Sequence, residues 1–302
     1  MPEQLWLSSA LAARRQCLRA LGAVPLWAWG AAQAQAQAQP SNAVAQRIVA
    51  LGGSLTEVVY ALGAEGRLVG TDTTSVHPPA ALKTAKVGYM RQLSAEGLLS
   101  LRPDAVLGTH EAGPAVVLEQ VRSAGVQVEL VQADHSWQEV QRKLQLVGRM
   151  TGRSAAAQTL QARLDGEWAQ TQQQVARAVQ RPRALFILAH SGSPMVAGTH
   201  TAADALIRFA GGVNVAASFE GYKPLTAEAM ASAAPQVLIN TSQGMEALGG
   251  AAAFWQRPEL ALTPAYRRRA LVAMDANHLL GFGPRLPQAV QELHTRMQAL
   301  LA

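Results

Sequence analysis

Cysteine is nearly absent: the 302-residue chain has one, Cys17, inside a segment that reads as removed on export. The mature chain then has no thiol, which excludes disulfides, cysteine-ligated metals and cysteine nucleophiles. No close His-x-x-x-His pair marks zinc. No apolar run reaches the ~18–20 residues that span a bilayer. Glycine is plentiful (25 residues), yet no G-x-G-x-x-G phosphate loop and no G-x-S-x-G nucleophile elbow occurs. Nucleotide binding is therefore unsupported, and an exported serine hydrolase would have to gather its triad from scattered residues. The net charge is +6 and the isoelectric point near 10.0. The basic residues are nonetheless scattered and lack an aromatic-basic strip, so nucleic acid is not the expected partner. The one tight cluster, "RRR" at 267–269, reads as a solvated turn.

What is present begins with an export signal, expected over residues 1–38. Arg14, Arg15 and Arg19 supply the positive start, "ALGAVPLWAWGAA" the apolar core, and "AQAQAQA" small-x-small cleavage sites between 34 and 39. "RRQCLR" loosely resembles a twin-arginine signal with Cys in place of Phe, so that route and the general secretory route both stand. Cys17 precedes the apolar core and is not placed as a lipoprotein cysteine. A soluble protein of the bacterial periplasm is the expectation.

The remainder alternates strand and helix. "RIVALGG" (47–53), "RLVGTD" (67–72), "DAVLGTH" (104–110) and "VQVELVQ" (126–132) are short apolar runs; "SLTEVVYALGAEG", "SAEGLLSLRP" and "PAVVLEQVRSAG" lie between them with helical spacing and Gly or Pro stops. Such alternation predicts an α/β fold with a mainly parallel sheet. Residues 136 to about 180 stay helical, rich in Ala, Gln and Arg and free of Pro after residue 136. From Arg183 the alternation restarts. Two α/β lobes (39–148 and 182–302) joined by a rigid linking helix (149–181) are therefore expected, with a ligand cleft between them.

The halves also echo one another. "SLTEVVYALGAEG" corresponds to "HTAADALIRFAGG", and Ser94-Ala95-Glu96 to Thr226-Ala227-Glu228, with the same spacing from Glu to Pro103 and to Pro235. A pseudo-twofold follows. Glu96 and Glu228 favour a first helical turn through the helix dipole; as a symmetric pair they also suit docking onto a symmetric membrane partner. Upstream of each stands a Tyr and a basic residue: Tyr89 and Arg91 in "GYMR", Tyr222 and Lys223 in "YKPL". A phenolate is a hard oxygen ligand for ferric iron, and a guanidinium nearby favours the phenolate over the phenol. Arg91, two residues on, shares a side with Tyr89 only in an extended or looped segment. Arg91 and Lys223 would then flank a dianionic ligand. A half-buried rim tyrosine is the plainer reading.

"RIVALGGSLTEVVYALGAEGRLVGTDTTS", "VGYMRQLSAEGLLSLRPD", "TAADALIRFAGGVN", "YKPLTAEAM" and "LLGFGPRLPQAV" together resemble the periplasmic haem-binding proteins of ABC haem-uptake systems, the helix-hinged class of solute-binding protein. The resemblance covers nearly all of the mature chain and implies two Rossmann-like lobes joined by one long helix. It implies ferric haem b as the transported ligand, Tyr89 as axial iron ligand, Arg91 and Lys223 at the propionates, and Glu96 and Glu228 as docking residues for an inner-membrane permease dimer with its ATPase. Some members use a His of the second lobe as another haem contact; His190 in "AHSGSP" is the candidate, against a structural histidine. One haem or two stays open. Phe282 in "GFG" and Trp255 read as packing residues before cleft-lining ones. A monomeric carrier without catalysis is expected. A corrinoid or ferric-siderophore receptor on the same scaffold is the alternative, whereas bare metal would need three or more clustered His or carboxylates.

Overall fold

A computed structural model describes residues 44–189 and 194–302. The export segment with Cys17, and His190, lie outside the described residues. The first lobe contains β1 (Ile48–Ala50), α1 (Gly53–Ala61), β2 (Leu68–Thr71), α2 (Ala95–Ser100), β3 (Ala105–Thr109), α3 (Ala115–Ser123), β4 (Gln127–Val131) and α4 (Trp137–Met150). Its sheet runs β2-β1-β3-β4, every pair parallel. Parallel strands are covered on both faces and hence apolar throughout; β1 and β3 are entirely buried. Gly52 turns the chain from β1 into α1 with φ at 98°, and a Cβ on Gly53 would come within 2.9 Å of the Thr74 carbonyl.

Helix α5 (Ser154–Ala176) follows, 23 residues long. Buried Ala157, Leu164 and Thr171 recur every seven residues, each followed three or four residues later by a partly buried Leu160, Trp168 or Val175. That narrow stripe seats α5 on α4 through a Trp137–Trp168 stack with centroids 5.0 Å apart, and Trp137 donates its indole N–H to Asp165 at 2.7 Å.

The second lobe contains β5 (Arg183–Leu188), β6 (Met195–Ala197), α6 (Ala202–Phe209), β7 (Val213–Asn214), β8 (Tyr222–Pro224), α7 (Ala227–Ala233), β9 (Val237–Thr241), α8 (Ser242–Ala247), α9 (Gly250–Trp255), α10 (Pro264–Arg268), β10 (Leu271–Met274), α11 (Ala276–Leu280) and α12 (Leu286–Ala299). β10, β9, β5 and β7 are parallel, as expected, but β6 pairs antiparallel with β5 and β8 antiparallel with β6. This three-residue-strand extension is not foreseen by the alternation, because strands so short carry no period. It makes the lobes unequal: α1 follows its strand directly, whereas α6 follows a hairpin. "RRR" is exposed at a turn, as expected: Arg267 and Arg268 close α10, and Arg269 after them stacks on Tyr266 and Trp255, at 4.4 and 5.2 Å.

The lobes share a core. The largest apolar cluster includes Val58 and Leu144 of the first and Phe186, Val290 and Leu293 of the second. Phe282, nearly fully buried, joins His135 of the first lobe (5.3 Å) to Phe209 of the second (6.4 Å), so it is an inter-lobe packing residue.

Candidate functional site

Ligands of open α/β sheets bind beyond the carboxyl ends of the strands. The loop from β2 to α2 lies there and carries "GYMRQL". Gly88, with φ at 96°, turns it, and its carbonyl accepts the Thr73 N–H at 2.9 Å. The chain then alternates: Met90 and Leu93 are buried in the lobe's second apolar cluster, while Tyr89 and Arg91 point outward. The outward pair meets as the extended-loop reading requires. An Arg91 Nη1–H points at the Tyr89 hydroxyl across 3.4 Å, and Tyr89 is 39% exposed.

Glu111 joins this pair. Its Oε1 accepts from Arg91 Nη2 at 2.6 Å. It lies two residues past the end of β3, and its loop is stitched to the Tyr89 loop by Gly113 N–H to the Met90 carbonyl (2.9 Å) and Leu93 N–H to the Gly113 carbonyl (3.0 Å). Burial lowers the Arg91 pKa, but the Glu111 charge, the Tyr89 oxygen and their hydrogen bonds outweigh it and the net shift is upward. Sequence reasoning missed Glu111. The usable signal was its place just past a parallel strand in "GTHEAG".

The second lobe faces this group with Tyr222. Burial pushes its phenol above the ordinary tyrosine range, against a downward pull from Arg91; Glu111 adds to the rise, and Thr201 lies beside the hydroxyl. Tyr222 therefore sits within the field of the first lobe's ion pair. Lys223, expected to flank a dianionic ligand from the side opposite Arg91, follows Tyr222 on β8. Successive strand residues point to opposite faces, and its ammonium lies over the Phe219 ring, 4.7 Å from the centroid. The Phe219 carbonyl is held by the Thr199 N–H (2.8 Å) and hydroxyl (3.0 Å).

Glu96 and Glu228 occupy the first turns of α2 and α7, as the capping pattern predicts. Ser94 Oγ accepts from Gly97 N–H and Thr226 Oγ1 from Ala229 N–H, both at 3.1 Å. Both carboxylates are exposed, and neither forms an ion pair among the described residues. Nor do three His, Asp or Glu side chains gather as a bare-metal site there.

Two α/β lobes on a long connecting helix, with a polar group facing across the gap, define a helix-linked solute-binding protein. The chain belongs to the periplasmic binding protein family, whose model matches residues 48–278. It is similar to the periplasmic haem-binding protein BhuT, solved in complex with two haems: 46% identity, 85% of this chain and 99% of that one covered, TM-score 0.81. It is also similar to the periplasmic haem-binding protein RhuT from Roseiflexus sp. RS-1, solved in its apo form, at 37% identity with 85% and 99% coverage and TM-score 0.81. A cobalamin-binding protein of Halobacterium salinarum is 29% identical over 260 residues, 82% of this chain and 68% of that protein.

Proposed function

We propose that this chain is a periplasmic carrier that binds ferric haem between its lobes and hands it to an inner-membrane ABC permease. The observation that carries the reading is the Tyr89 hydroxyl facing the Arg91 guanidinium at 3.4 Å on a partly exposed loop. Iron displaces the phenolic proton, and the guanidinium stabilises the resulting oxyanion. Tyr222, its phenol raised by burial, stays a neutral donor on the opposite wall. Arg91 has five N–H donors and keeps some for a propionate. Lys223 reaches the other propionate by leaving Phe219. An exposed cation–π contact is worth about 0.5–1 kcal/mol and a hydrogen bond to a charged group about 1.5–3 kcal/mol, so the exchange is favourable. His190 is the further haem contact from the second lobe. Glu96 and Glu228, one per lobe and free of described ion pairs, dock onto the two permease subunits. The carrier works as a monomer, exported by the signal over residues 1–38, and catalyses nothing.

Titration with haemin, beside cyanocobalamin, tests this. A high-spin ferric spectrum with a phenolate charge-transfer band is expected, and the same titration gives one or two haems per chain. The isosteric Tyr89→Phe should remove the band and weaken binding at least about tenfold, roughly 1.4 kcal/mol. Binding of cyanocobalamin with indifference to haemin, or a band surviving in Tyr89→Phe, would overturn the reading.

A further inference from the structure

The Arg91–Glu111 pair presents a puzzle of sign. A site for an anionic ligand that grips iron through a phenolate has a carboxylate 2.6 Å from its cation. As a bare charge, Glu111 opposes both the phenolate and the propionates. Its geometry indicates another role. Arg91 has a long, rotamer-rich side chain that is 52% exposed, and a 3.4 Å approach to Tyr89 alone is too weak to hold it. Glu111 takes the other terminal nitrogen of the same planar guanidinium, so the fork points an Nη1–H at the phenol oxygen.

Glu111 is itself well anchored. Besides the two hydrogen bonds that stitch its loop to the Tyr89 loop, His110 N–H donates to the Val131 carbonyl at 3.0 Å and Ala112 N–H to the Thr109 carbonyl at 2.9 Å. Carboxylate, guanidinium and phenol thus form one relay whose two ends belong to loops held in fixed relation. We infer that Glu111 is a positioning residue: it orients Arg91 onto Tyr89, so that the guanidinium is in place before the ligand arrives. Preorganised donors of this kind do not have to be ordered when the ligand binds. The pair is exposed enough to be exchangeable, which leaves the guanidinium able to share its donors with an incoming carboxylate. This inference rests on the haem reading of the site.

The two roles of Glu111 predict opposite signs. If it is only a charge, Glu111→Gln tightens haem binding and leaves the phenolate band unchanged. If it positions Arg91, Glu111→Gln weakens ferric haem binding about tenfold, the scale of one charge-assisted hydrogen bond, and dims the charge-transfer band. Glu111→Asp, whose carboxylate the long Arg91 side chain can follow, should restore most of both. A double-mutant cycle isolates the route. In an Arg91→Ala background, Glu111→Gln should cost nothing or improve binding, because only its charge is left to act. Tighter binding by the single variant, or the same loss with and without Arg91, overturns the proposal. Wild-type protein that ignores haemin overturns the reading beneath it instead. Thermal midpoints of the apo variants equal to wild type separate positioning from damage to the fold.

Discussion

At the scale of single residues, the second wall of the cleft depends on Gly198. A Cβ there would lie 2.2 Å from the Phe219 carbonyl oxygen and 2.6 Å from its ring. That carbonyl is fixed by two bonds from Thr199, so backbone would have to move. Gly198→Ala is expected to destabilise by about 2–3 kcal/mol, at the upper end for overpacking. A denaturant melt would measure this, and an unchanged midpoint would refute the crowding. The same neighbourhood explains why Tyr222 lies in the field of Arg91 and Glu111 while the Lys223 ammonium lies over Phe219. "YK" carries both a phenol and a cation, but only the pairing of β8 with β6, Tyr222 opposite Ala197 and Lys223 opposite Val196, decides which of them faces the first lobe.

At the scale of elements, α5 is a stiff connector with one soft residue. Gly166 lies mid-helix and exposed, and a Cβ there would meet nothing within 4 Å. Glycine inside a helix costs up to about 1 kcal/mol relative to alanine. Gly166→Ala should therefore stabilise the protein by about 1 kcal/mol, a rise of about 2–4 °C in melting temperature at this size. Failure to rise would mean that α5 is not helical there. The sequence pattern ends one helix at the Gly of "GRMTG" and runs a second for close to thirty residues after it; the structure breaks the helical stretch there, between Met150 and Ser154, and α5 ends earlier, at Ala176. Thr151, Gly152 with φ at 65°, and Arg153 make that break. It lets α5 fold back against α4 and bring Trp168 onto Trp137.

At the scale of the whole molecule, the lobes are joined by more than α5. Arg285 of the second lobe makes a bidentate pair with Glu57 of α1, at 2.9 and 2.5 Å. The bonds to Glu57 hold the guanidinium pKa above its usual value, burial opposing them. Lys143 of α4, fully buried, pairs with Glu139 at 2.6 Å and donates to the Phe282 carbonyl at 3.0 Å. Burial pulls the Lys143 ammonium pKa down, and only Glu139 and nearby acidic charge oppose it. Glu139 uses its second oxygen to accept the Asp134 and His135 N–H groups. These bonds and the shared core tie the 277–285 segment to the first lobe. Removing one partner of such a buried pair leaves the other charge uncompensated and costs about 3–5 kcal/mol. Glu57 is 7% exposed, so Arg285→Ala should lower stability by about 3 kcal/mol. A thermal melt checks it, and a loss below about 1 kcal/mol would mean the seam is not held there.

Much of this architecture is local and so was legible in the sequence alone. Helical and strand periods, Ser94 and Thr226 as caps, Gly88 before an outward Tyr-x-Arg pair, and the long Pro-free helix are written in neighbouring residues, because backbone sterics and capping act over a few positions. Contacts across the chain were not legible. Glu111 meets Arg91 across 20 positions and Arg285 meets Glu57 across 228; the antiparallel pairing of β8 with β6 sets Tyr222 and Lys223 on opposite faces of the strand. Ion pairs and strand register depend on which surfaces packing brings together, and only the tertiary structure decides that.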